Sequence, residues 1–184
     1  MPQMTVAMIL ILIILASGWL IYFYNIMTNK KMKVEELYHQ LIVLINNKSD
    51  LALAIAKKVS QYSNGEIDLL INMGRRYWCI YLDANSIIES SERMSKLIET
   101  IFELGPYYLE IDTKEMNEFK EQLTSVEKKL SKSIQLYNAS VEVYNKFIFA
   151  FPNNFAAMMI GIKELPYLKS ISIKGGQHEK DCSK

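Results

Sequence analysis

From Val6 to Tyr24 nineteen consecutive residues, VAMILILIILASGWLIYFY, are apolar, aromatic or small, and the first charged side chain in the sequence is Lys30. A helix rises about 1.5 Å per residue, so roughly 20 apolar residues cross a hydrocarbon core about 30 Å thick. The run is long enough to span. A buried helix of a soluble core keeps a polar face, and this run has none. A cleavable signal peptide carries a basic leader and a shorter apolar stretch, whereas residues 1–5 contain no Lys or Arg. The segment therefore reads as a retained anchor over residues 1–29. Trp19, Tyr22 and Tyr24 are its interfacial rings, and Lys30, Lys31 and Lys33 follow it directly. Under the positive-inside rule those lysines place the rest of the chain in the cytoplasm and the N-terminus outside.

Beyond the anchor the periodicity is helical. Val34, Leu37, Leu41, Leu44, Leu51, Ile55, Val59 and Tyr62 recur at three- and four-residue steps, interrupted at Lys48. Ser63-Asn64-Gly65-Glu66 supplies a turn and a capping box, and a second helical stretch runs from Glu66 to Leu104 with a break expected around Ser90, Ser91 and Glu92. Gly105-Pro106 ends it, and Asp112-Thr113-Lys114-Glu115 opens a third helix.

That third helix carries the clearest stripe: Met116, Phe119, Leu123, Val126, Leu130, Ile134, Tyr137, Val141, Tyr144, Ile148 and Phe151. It reads as a heptad seam with one stutter, and at 1.5 Å per residue a helix from Thr113 to Phe151 is about 60 Å long. A helix of that length buries its stripe only against long neighbours, within one chain or between copies. Pro152 stops it, and Phe155 to Ile160 is expected to form a short helix over one end of the bundle. The expected fold is all-α: an N-terminal transmembrane helix, then a long antiparallel bundle over residues 30–168 of three long helices and a short one, four-helix-bundle-like. Residues 169–184 read as a polar, disordered tail.

Composition narrows the function. With 21 Lys+Arg against 20 Asp+Glu, a formal net charge of +1, the chain lacks the basic excess of a nucleic-acid binder. Seven Gly and four Pro leave little for phosphate loops or frequent tight turns. No Gly-rich phosphate loop, Gly-x-Ser-x-Gly elbow or His-Glu-x-x-His helix occurs, so no catalytic residue and no cofactor-binding set is assigned. Glu36 and His39 have the Glu-x-x-His spacing of di-iron bundles, yet the only other histidine is His178. Cys79 and Cys182 form neither a zinc pair nor a disulfide framework. No metal set is assigned either. Lys128, Lys129 and Lys132, with Glu121 and Glu127 nearby, read as a solvated face.

Tyr137-Asn138 and Tyr144-Asn145 seven residues on, then Phe151-Pro152 and Gly161 with Pro166-Tyr167, form a pattern that resembles the C-terminal signature of the LemA family of bacterial membrane proteins. Tyr24-Asn25, Val34, Asp50-Leu51, Val59 and Tyr62 fall where that family has its tyrosine-asparagine pair and its aspartate-leucine helix. The likeness runs from the anchor to about Leu168. Where the family usually carries a basic pair before the Asp and Pro-Asn after it, this chain has Asn47-Lys48 and Leu53-Ala54. The resemblance implies one anchor, a helical bundle and no established enzymatic activity.

The residues themselves suggest that Tyr137 and Tyr144 pack in the seam while Asn138 and Asn145 fix register by hydrogen bonding to a neighbouring helix. Asp50 is a carboxylate at the border of an apolar stripe. The expected role is a membrane-anchored, non-enzymatic scaffold acting on a protein partner or on copies of itself. The alternative is a ligand- or ion-sensing regulator built on a buried polar layer of Asp50, Asn138 and Asn145.

Overall fold

Between Gln3 and Ser60 the chain contains no proline and one glycine, Gly18, so nothing local compels a helix to stop. In the computed structural model, which describes residues 2–60, 84–104 and 113–169, this stretch is a single helix, α1, Pro2–Ser60. The apolar run continues into the amphipathic stripe without a break. Lys57 and Lys58 in the last turn favour the negative end of the helix dipole. Three further helices follow among the described residues: α2, Ala84–Leu104; α3, Thr113–Phe149; and α4, Asn153–Ile160. No strand occurs among the described residues.

The chain divides into two compact units, Met1–His39 with Leu136–Tyr167, and Gln40–Gln135 with Leu168–Lys184. In the first, α1 and α3 run antiparallel. Tyr38 faces Tyr137 with ring centroids 6.1 Å apart, Met27 Sδ lies 4.0 Å from the Tyr144 hydroxyl, and Phe23 stacks on Phe147 at 5.6 Å. Val34, Leu37, Val141, Ile148 and the two alanines of α4 complete its buried core. The side chains of the apolar run behave differently, with Met8 at 64% and Ile14 at 69% exposure.

In the second unit Ile55, Ala56 and Val59 of α1 pack with Met94, Ile98 and Ile101 of α2 and Leu123 of α3. Each fully buried isoleucine contributes roughly 1.5–3 kcal/mol relative to exposure. Lys58 pairs with Glu115 at 2.9 Å and Lys48 with Glu127 at 3.2 Å, again an antiparallel order.

Several expectations change. The break expected at Ser90 to Glu92 does not occur: α2 is continuous there, and Ser91 is buried because its oxygens bind Lys48. The third helix ends at Phe149 instead of Phe151, since a residue before proline is pushed away from helical geometry. Phe151 leaves the seam and is 80% exposed. The short helix starts at Asn153, and it buries Ala156 and Ala157 while its large side chains face outward. The turn and capping box of residues 63–66, the start of the second stretch, Gly105-Pro106, Asp112 and the polar tail beyond Lys169 lie outside the described residues.

Candidate functional site

The Tyr-Asn pairs sit on α3 in the first unit, and the polar atoms of Tyr137 and Asn145 are turned onto the segment that follows α4. Asn145, only 6% exposed, donates from Nδ2 to the Leu165 carbonyl at 2.9 Å. Its Oδ1 accepts the Leu165 N–H, also at 2.9 Å. One amide thus satisfies both backbone groups of Leu165, as a neighbouring strand would. The Tyr137 hydroxyl donates to the Pro166 carbonyl at 3.3 Å. Residues 165 and 166 form a strap held on α3. The partner of Asn145 is this irregular segment and not a neighbouring helix, which periodicity alone does not reveal.

Tyr137 and Tyr144 fill the seam as expected, and burial raises both phenol pKa values above the ordinary tyrosine range, with the neighbouring Tyr38 adding to the effect at Tyr137. Asn138, one position over, is half-buried. Asp50 lies on α1 in the other unit and is exposed, so it is not part of a buried layer.

Phe151 and Pro152 mark the corner between α3 and α4. Phe151 packs edge-on against Phe155 with centroids 6.1 Å apart, and both are exposed. Asn153 Nδ2 donates to the Phe147 carbonyl at 3.1 Å, which satisfies an acceptor left over at the end of α3. Gly161 closes α4 in the left-handed region at φ 74°, where its N–H reaches Met158 O and the next N–H reaches Ala157 O at 2.9 Å.

The residues expected at a membrane interface all belong to the same unit. Trp19 stacks on Phe23 at 6.1 Å, while Tyr22 and Tyr24 are exposed. The Lys30 ammonium lies 5.4 Å from the Phe147 ring centroid, within cation–π range. Lys31 pairs with Glu35 and Lys33 with Glu36. His39 is exposed, and no group of three or more metal-binding side chains occurs among the described residues.

The polar centre that periodicity missed is Lys48. Its position interrupts the stripe by residue type but occupies it by geometry, between Ile45 and Ile55, and the side chain is buried. Its ammonium donates to Ser91 O at 3.1 Å, to Ser91 Oγ at 3.4 Å and to Ser95 Oγ, and pairs with Glu127 at 3.2 Å. Ser95 Oγ in turn donates to Glu127 at 2.9 Å. Burial pulls the Lys48 pKa below the ordinary lysine value, and Glu127 opposes that shift. Glu127, read as part of a solvated face, is therefore the partly exposed counter-ion of a buried lysine. The legible signals were the seam register of Lys48 and the four-residue spacing of Ser91 and Ser95.

A model of the LemA family matches residues 38–178. No curated protein and no solved structure matches the chain.

Proposed function

The chain belongs to the LemA family, and from that premise we propose that it is a membrane-anchored, non-enzymatic helical scaffold whose work is positional. The observation that carries this reading is the exposure of the N-terminal apolar run. Only 6% of the most apolar window of α1 is buried inside the protein. Each large apolar side chain left in water costs roughly 1.5–3 kcal/mol, and a bilayer removes that cost. Lys30, Lys31 and Lys33 orient the span with the bundle in the cytoplasm.

The continuity of α1 supports the same role, because one helix carries both the apolar run and the core residues Met27, Val34 and Leu37 of the first unit. A protein held this way raises the effective concentration of whatever it binds at the bilayer, with no bond made or broken. The hydrogen bonds of Asn145 and the hydroxyl contact of Tyr137 also fit a structural role for the Tyr-Asn signature, since both side chains are engaged by the chain's own backbone.

Fractionation and labelling test the reading together. The full chain, with Cys79→Ser, is expected in carbonate-washed membranes. Cys182 is expected to react with a membrane-impermeant maleimide only after the cells are permeabilised. Labelling in intact cells reverses the orientation, and recovery in the carbonate-soluble fraction removes the anchor.

A further inference from the structure

Between Lys146 and Lys163 the sequence carries no charged residue. This stretch contains the α3–α4 corner, and beyond the buried Ile148 six large apolar side chains face outward: Phe149, Phe151, Phe155, Met158, Met159 and Ile160 are 47–85% exposed. Such a contiguous set is unusual on a water-facing surface. The register of α3 against α1 says what covers it. Going along α3 from Tyr137 to Tyr144 to Phe147, the facing residues on α1 are Tyr38, Met27 and Phe23. Phe23 is already inside the apolar run that ends at Tyr24. The corner therefore begins where α1 has entered its apolar stretch, and the strap at Leu165 and Pro166 leads back along α3 to Asn145 and Tyr137.

Resting on the anchor reading above, we propose that the α3–α4 corner is a second membrane-contact element, seated in the headgroup–acyl boundary of the leaflet on the Lys30 side. An interfacial helix buries its apolar side about 5–10 Å into that boundary. The local backbone suits this setting: Asn153 takes the Phe147 carbonyl, the Asn154 side chain accepts the Phe155 N–H at 2.9 Å, and the turn at Gly161 recovers carbonyls of α4. Lys30 over Phe147 gives a cation at the level where lysines reach headgroups, and Lys146, which also pairs with Glu142, and Lys163 flank the uncharged stretch in sequence. The occupant is lipid and not a second copy, because the register sets the exposed corner at the level of the exposed apolar run of α1 that the bilayer must cover.

The test uses the full chain, with Cys79→Ser and Cys182→Ser, in vesicles of phosphatidylcholine with a minority of phosphatidylglycerol. An NBD label is placed at Met159→Cys, at Leu15→Cys in the anchor, or at Leu136→Cys, which lies beside the Tyr137–Tyr38 contact and away from the apolar run. Nitroxides are carried shallow or deep on the acyl chain. The expected result is about twofold more quenching of the Met159 label by the shallow nitroxide than by the deep one, the reverse order at Leu15, and little at Leu136. If Leu15 is quenched while Met159 behaves like Leu136, the corner does not touch lipid and the proposal fails with the anchor intact. If neither Leu15 nor Met159 is quenched, the anchor reading fails and the corner proposal with it. An unquenched Met159 label whose emission shifts with protein concentration assigns the corner to a second copy, which also overturns the proposal. Met159 is 85% exposed, so its replacement leaves the fold undisturbed.

Discussion

Asn145 grips Leu165 through both of its backbone groups, donating to the carbonyl and accepting the N–H at 2.9 Å each. This is the one place where the strap after α4 is tied to α3 by a pair of reciprocal hydrogen bonds among the described contacts. Asn145→Ala removes both bonds and leaves two strap groups to find water, so a loss of about 2–3 kcal/mol is expected. Asn145→Asp sets a carboxylate oxygen against the Leu165 carbonyl at a buried position, and is expected to cost at least as much as Asn145→Ala. Chemical denaturation of the full chain in detergent gives the magnitude. Hydrogen exchange gives the location, because loss of protection is expected first at the Leu165 amide.

Tyr137 and Tyr144 occupy equivalent heptad positions, yet their hydroxyls do different work. Tyr137 reaches Pro166 O at 3.3 Å, whereas Tyr144 has only a 4.0 Å contact with Met27 Sδ. Tyr137→Phe is expected to cost about 0.5–1.5 kcal/mol, the usual net worth of one hydrogen bond. Tyr144→Phe is expected to change stability little. Equal losses in paired melting curves would contradict the assignment.

Lys48 makes stability depend on pH in a definite direction. Its folded pKa is lowered by burial, so above that value the folded state holds fewer protons than the unfolded one. The burial penalty is fully present below the folded pKa. It is relieved as pH rises from there to the ordinary lysine value, so the protein is expected to gain stability across that alkaline window. Lys48→Met should abolish the gain.

The same pair separates two kinds of substitution. Lys48→Met removes a buried charge and leaves Glu127, whose side chain is 24% exposed and still meets water. The buried Ser91 loses its lysine donor, so Lys48→Met is expected to cost some stability but less than Glu127→Ala. Glu127→Ala strands the buried ammonium and is expected to cost about 3–5 kcal/mol. Denaturant midpoints at neutral pH compare the two, and a Lys48→Met variant as damaged as Glu127→Ala would show that Lys48 is needed for more than its charge.

Gly161 sits at φ 74° with open space where a Cβ would go. Gly161→Ala is therefore expected to cost about 1–2 kcal/mol from backbone strain alone, and Gly161→Asn less, because asparagine tolerates the left-handed region. A thermal melt of each variant checks the order.

Much of the fold is legible from individual residues. The seam from Leu123 to Ile148 on α3 is buried at Leu123, Leu130, Ile134, Tyr137, Val141, Tyr144 and Ile148, because side-chain spacing sets which face of a helix is apolar before any partner is known. Phe151 falls on the same count and lies exposed, since Pro152 ends the helical path on which the count depends. The Tyr-Asn pairs were recognisable as a unit, but their partner was not: Leu165 is 20 residues from Asn145, and no local rule links an amide to a distant backbone.

Residue order alone suffices for the helical class, the long apolar run before Lys30, the stripe that faces inward, and the membership that the pattern from Tyr137 to Tyr167 signals. These follow from local quantities: hydropathy, period, and the punctuation of proline and glycine. Tertiary structure alone decided that Lys48 is an interior cation with Ser91, Ser95 and Glu127 around it, that Asp50 faces outward, and that α3 meets α1 at Phe23. Those outcomes depend on which atoms from distant parts of the chain come within a few ångströms. Burial, pairing and pKa are set by that proximity, and residue type and spacing do not encode it.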